Sequence, residues 1–101
     1  MPTLYICEYA NQGRDTAGYT IQGVAQEPAN TEQTVAIGGT SAQSNAFQSG
    51  TTLIRVHTDS ICSIAIGTNP TAAATNKRMA ANTTEYFGVR PGDKIAVITN
   101  T

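Results

Sequence analysis

Apolar residues in this chain recur at every second position in short runs, and no stretch sustains the three- and four-residue spacing of a helix. Alternation of this kind sends successive side chains to opposite faces of an extended strand. The clearest runs lie in residues 51–99. Residues 52–58 read Thr-Leu-Ile-Arg-Val-His-Thr, which puts Ile54, Val56 and Thr58 on one face and Leu53, Arg55 and His57 on the other. After Asp59-Ser60 a second run, residues 61–66, brings Cys62, Ile64 and Ile66 to a common face. Two such runs split by two turn-forming residues predict an antiparallel hairpin. Gly67-Thr68-Asn69-Pro70 ends the second run, since proline cannot continue a ladder. Residues 71–76 form a loop of small side chains, too short to hold a helix alone. Residues 77–79 predict a short strand with Met79 inward, residues 80–83 a turn, and residues 85–89 a strand with Phe87 and Val89 inward. Arg90-Pro91-Gly92-Asp93 predicts a type II turn: proline presets φ at the first central position and glycine permits positive φ at the second. In the closing strand, Lys94–Thr99, the run Ile-Ala-Val-Ile predicts burial on both faces.

The first half is more polar. Thr3–Tyr9 alternates Leu4 and Ile6 against Tyr5, Cys7 and Tyr9, and both faces carry enough apolar surface to place the strand between a core and a partner. Residues 11–18 read as a polar loop with Arg14 and Asp15, residues 19–25 as a strand with a bulge at Gly23, and residues 26–33 as a polar connection. Residues 34–37 form a short strand stopped by Gly38-Gly39, and residues 40–50 a loop whose one large apolar residue, Phe47, either pins it to the core or points at a neighbour. Pinning is the favoured reading, because isolated loops usually anchor that way. The total is about seven or eight strands at even spacing, the pattern of a small antiparallel β-sandwich or small barrel, of which the sandwich is the first choice. A jelly-roll-like form of a single domain, residues 1–101, is the expected fold.

Composition narrows the partners. The chain has 101 residues, a formal net charge of -1 and 13% charged residues. A nucleic-acid partner calls for a basic surface that this chain lacks. No apolar run approaches the roughly 18 residues of a membrane span, and the first residues lack the basic leader and apolar stretch of a signal peptide, so synthesis in a cytoplasm is expected. Two cysteines in that setting, Cys7 and Cys62, are expected as reduced thiols.

Catalytic and metal chemistry find little to build on. The single histidine, His57, has no ligand cluster around it in sequence. The run His57-x-Asp59-Ser60 contains triad residue types, but a triad is defined by geometry and such runs arise by chance. Glu27 and Glu32 fall in one connection and Glu85 stands apart, so no paired carboxylates are evident. Asn82-Thr83-Thr84 fits the glycosylation acceptor pattern, incidental without secretion. Lys77, Arg78, Arg90 and Lys94 read as an ordinary solvated rim. No enzyme, cofactor or metal site is expected.

Residues 61–72 (Ile-Cys-Ser-Ile-Ala-Ile-Gly-Thr-Asn-Pro-Thr-Ala), 79–87 (Met-Ala-Ala-Asn-Thr-Thr-Glu-Tyr-Phe) and 89–98 (Val-Arg-Pro-Gly-Asp-Lys-Ile-Ala-Val-Ile) together resemble small proteins from the structural regions of tailed bacteriophages and prophages. In these a strand ending in Gly-x-x-Pro-Thr-Ala leads through a loop to an Ala-Asn-Thr-Glu turn and a closing Pro-Gly hairpin. The resemblance covers the last half of the chain and implies a virion structural protein, specifically a capsid decoration or cement protein. It would be made in the host cytoplasm and sit on the capsid exterior. Its partner would be the major capsid protein, with homodimers or homotrimers, no nucleic acid and no membrane. Tyr5, Tyr9, Arg14 and Phe47, with the two loops at residues 11–18 and 40–50, are the expected contact residues. The rival roles are a tail- or fibre-associated module, binding glycan through stacked tyrosines or capping another tail protein, and a head–tail connector.

Overall fold

Ten strands are present in the computed structural model, which describes residues 2–14, 16–17 and 19–101. They are β1 (Thr3–Tyr9), β2 (Gln12–Arg14), β3 (Thr20–Ala25), β4 (Thr31–Ala36), β5 (Ala42–Gln43), β6 (Leu53–Thr58), β7 (Cys62–Gly67), β8 (Lys77–Met79), β9 (Thr83–Gly88) and β10 (Lys94–Thr99). Eight of them build two four-stranded antiparallel sheets, ordered β4-β1-β6-β9 and β5-β10-β7-β8, while β2 and β3 pair only with each other. The alternation read from the sequence is what packs the two layers. Leu4 and Ile6, Val35, and Ile54 and Val56 from the first sheet meet Cys62, Ile64, Met79, Ile95 and Val97 from the second, all buried in one cluster. Burying a Val, Leu or Ile side chain is worth about 1.5–3 kcal/mol, so this seam fixes the register of every strand that contributes to it. Ala96 is buried as well, on the opposite face of β10 from Ile95 and Val97, so the closing strand is covered on both sides.

Two expected hairpins are instead crossings between sheets. The chain leaves β6 in the first sheet and enters β7 in the second, and it does the same from β9 to β10. A strand has only two edges. Those of β6 are filled by β1 and β9, and those of β10 by β5 and β7. The Asp59-Ser60 step is shaped for this exit: the Thr58 hydroxyl donates to the Ser60 carbonyl at 2.6 Å and accepts from the Ser60 amide at 3.2 Å. The second exit has the expected turn chemistry, with Gly92 at φ 86° and the Asp93 amide donating to the Arg90 carbonyl.

Polar residues account for the other differences. Gln12–Arg14, expected in a loop, pairs with β3, and the register shifts there opposite the stretch that contains Gly23. β4 begins at Thr31, inside the expected connection, because Gln33 has polar partners within the fold. Its amide donates to the Glu8 carboxylate (3.1 Å) and accepts from the Asn45 amide (2.9 Å). Ala42 and Gln43 form a two-residue strand against β10, where a loop was expected. Phe47 is 3% exposed and sits in the core, pinning its loop.

Glu8 extends the inward face of Leu4 and Ile6 and is 1% exposed. Its carboxylate accepts from the Thr51 hydroxyl at 2.7 Å, the Gln48 amide at 2.9 Å and the Gln33 side chain. A buried charge is tolerated only when its acceptor sites are filled. Glu8→Ala is expected to destabilise the fold by about 3 kcal/mol, because it strands the buried Thr51 hydroxyl and two partly buried donors, and Glu8→Gln by about half as much. Chemical denaturation of the two variants checks both values.

Candidate functional site

The outer face of the β4-β1-β6-β9 sheet carries a groove of about 640 Å³ lined by Tyr5, Cys7, Glu32, Thr34, Arg55 and His57, with Asp59 at its end. Strand parity puts these residues on one face, and register sets them in rows. Thr34, Tyr5, His57 and Thr84 stand side by side across the four strands, and Glu32, Cys7, Arg55 and Tyr86 form the next row. Tyr5 and Tyr86 are 42% and 47% exposed. They are two strands apart, about 10 Å across the sheet, and share this face. The His57 ring lies 6.2 Å from the Tyr5 ring, tilted by 47°, and its Nδ1 is 2.8 Å from the Thr84 hydroxyl.

The histidine is held by a hydroxyl and an aromatic ring, not by an orienting carboxylate, and the Ser60 amide is engaged with Thr58 at the strand exit. Burial first, and then the Glu32 carboxylate, push the Cys7 thiol up, against a smaller opposing pull from Tyr9 and Arg55. Burial likewise raises Cys62, with the Thr58 hydroxyl opposing. Neither sulfur is therefore an activated thiolate at neutral pH. Cys7 lies on the outer face of the first sheet and Cys62 in the core, and both are free. Among the described residues, no three His, Cys, Asp or Glu side chains gather to hold a metal ion.

The residues expected to touch a partner separate. Tyr5 lies in the groove. Tyr9 is 2% exposed, and its hydroxyl donates to Glu27 at 2.8 Å. Phe47 is in the core. Neither Tyr9 nor Phe47 therefore presents its side chain to a partner, because the fold uses both. Arg14 belongs to β2, and its side chain lies outside the described residues, as do Asp15 and Gly18 of the same expected contact loop. Arg55, Glu32 and Tyr86 join the site through pairing between strands far apart in sequence, a relation that alternation within one strand does not reveal. Comparison with family models, curated proteins and solved structures finds no match.

Tyr9 generates a pH prediction. Burial, then the hydrogen bond to Glu27, raise its phenol well above the ordinary value of 10.0. The folded state thus favours the neutral form more than the unfolded chain does. This contribution is complete below about pH 10 and is lost as pH climbs above it. The stability difference between the native protein and Tyr9→Phe should shrink with rising pH only above that point, which denaturant titrations across the alkaline range measure. In the native protein Cys7 should react with a thiol reagent before Cys62, and Cys62 only on unfolding.

Proposed function

We propose that this chain is a virion structural protein of the capsid decoration type. It would bind the major capsid protein through the outer face of the β4-β1-β6-β9 sheet. The observation that carries the reading is that face itself: an open groove lined by exposed Tyr5 and by both signs of charge from Arg55 and Glu32, with Tyr86 exposed on the same face beside it. Aromatic and arginine side chains are the usual anchors of protein interfaces. Many identical copies on a lattice make modest individual contacts sufficient. The strand order supports a jelly-roll form. The chain passes between sheets at five of the seven steps linking the eight sandwich strands: β4–β5, β5–β6, β6–β7, β8–β9 and β9–β10. Double-sheet jelly rolls recur in viral capsid and lectin domains. The resemblance of residues 61–98 to tailed-phage structural proteins gives the reading its biological setting, and the role is binding, not catalysis.

A second reading has one observation in its favour. Tyr5 and Tyr86 occupy the same sheet face with hydrogen-bonding side chains between them, a surface on which sugar rings stack. That would suit a tail-associated glycan-binding module.

Two measurements separate these. Quantitative composition and cryo-EM of particles made from the encoding genome should find many copies spread over the outer shell, and Tyr5→Ala or Tyr86→Ala should weaken attachment about tenfold each. A few copies at a tail or vertex, with binding on a glycan array, would transfer the protein to the second reading. Absence from particles would overturn both.

A further inference from the structure

The β4-β1-β6-β9 sheet ends at β9 in a full six-residue strand. The Val89 amide donates to the Thr52 carbonyl at 3.0 Å, and residues 89 and 52 continue the register that pairs Gly88 with Leu53. In an antiparallel ladder the hydrogen-bonded pairs recur at every second residue. Thr83, Glu85 and Phe87 therefore turn their N–H and C=O groups toward β6. Thr84, Tyr86 and Gly88 turn theirs outward, past the last strand.

Native sheets blunt such edges with short strands, charges or proline. On the same flank, β8 is three residues long and carries exposed Lys77 and Arg78. On the other flank β5 is two residues long, and β4 bears the exposed charge of Glu32. β9 contains neither proline nor a basic residue, and its one charge, Glu85, is half-buried on the inward side.

We propose that β9 pairs with β9 of a second copy of this chain, antiparallel, about a two-fold axis through Tyr86. In that register Tyr86 faces its own counterpart and Thr84 faces Gly88, so every outward-turned residue meets an outward-turned partner. Each such pair exchanges both backbone hydrogen bonds. Glu85 then stands opposite Phe87 of the second copy, in a non-hydrogen-bonded pair where side chains come closest. The Lys77 ammonium lies 5.6 Å from the centre of the Phe87 ring. Each copy thus delivers a carboxylate to the other's lysine, and the inward charge that would repel a foreign strand is matched in this pairing. A two-fold through Glu85 also pairs outward-turned residues, Thr84 with Tyr86, but it sets the two Glu85 carboxylates directly opposite each other, which destabilises a cross-strand pair. The contact is isologous and closes at the dimer, as one eight-stranded sheet with both Tyr86 rings on its outer face. It stands on strand geometry and does not depend on the virion role.

Analytical ultracentrifugation of the full chain tests the proposal. The native protein should sediment as a concentration-dependent dimer. Thr84→Pro removes an outward amide without touching the β6 ladder. Glu85→Lys brings two cations together at each end. Each is expected to raise the dimer Kd about tenfold or more, while Glu85→Lys with Lys77→Glu should recover most of the loss. Circular dichroism checks that Thr84→Pro folds; if it does not, the charge reversal and its rescue decide. A native protein still monomeric at about 1 mM overturns the proposal. So does a dimer indifferent to these variants, which would use another surface. Open-ended polymers would also overturn it, because they require β9 to meet a different edge.

Discussion

The structure turns on a charge in the core. The Glu8 carboxylate ties the middle of the first sheet to residues 48 and 51 and, through Gln33, to residue 45. That loop carries Phe47 into the core. There the Phe47 amide donates to the Asp93 carbonyl, and its own carbonyl accepts from the Gly92 amide. One buried anion therefore positions a strand, a loop and, at one remove, the turn before the last strand. Its cost of desolvation is offset only because the hydrogen-bond partners are all supplied. Among the described residues, no buried side-chain nitrogen or oxygen lacks a partner.

What the sequence revealed and what it hid divide along the same physical line. Alternation within a strand is local, so Leu4 and Ile6, Ile54 and Val56, and Cys62 and Ile64 were legible as residues sharing a face before any fold was known, although which face turned inward was not. Pairing between strands is not local. The Asp59-Ser60 and Arg90–Asp93 turns look like hairpin turns because the short-range signal is a reversal of direction. Whether a reversal stays in one sheet depends on which edges are already occupied. Glu8 and Gln33 were hidden for a related reason: polar residues at inward positions read as exterior until their partners, up to 43 residues away, are in place. Of the expected contact residues, Tyr5 faces outward, whereas Tyr9 and Phe47 serve the fold. A large side chain in a polar stretch signals a need for burial but not what supplies it.

The two faces of the first sheet accordingly do different work. The inner face fixes the register, and register sets the outer face, where Tyr5, Arg55, His57 and Tyr86 are brought into rows from three separate strands. A surface made this way is as rigid as the core beneath it. Its side chains stand on central and edge strands, not on loops, so any contact they made would require little ordering.

The repeated passage of the chain between layers also governs how the molecule is made. Neither sheet is assembled from consecutive segments beyond a single neighbouring pair, so neither can mature ahead of the other. The entropy of closing several long loops must be met before the apolar seam repays it. Folding should therefore be slow for a chain of this size and strongly all-or-none. A half-built layer would be a transient with unpaired strands on every side, and the cell has reason to shorten its lifetime.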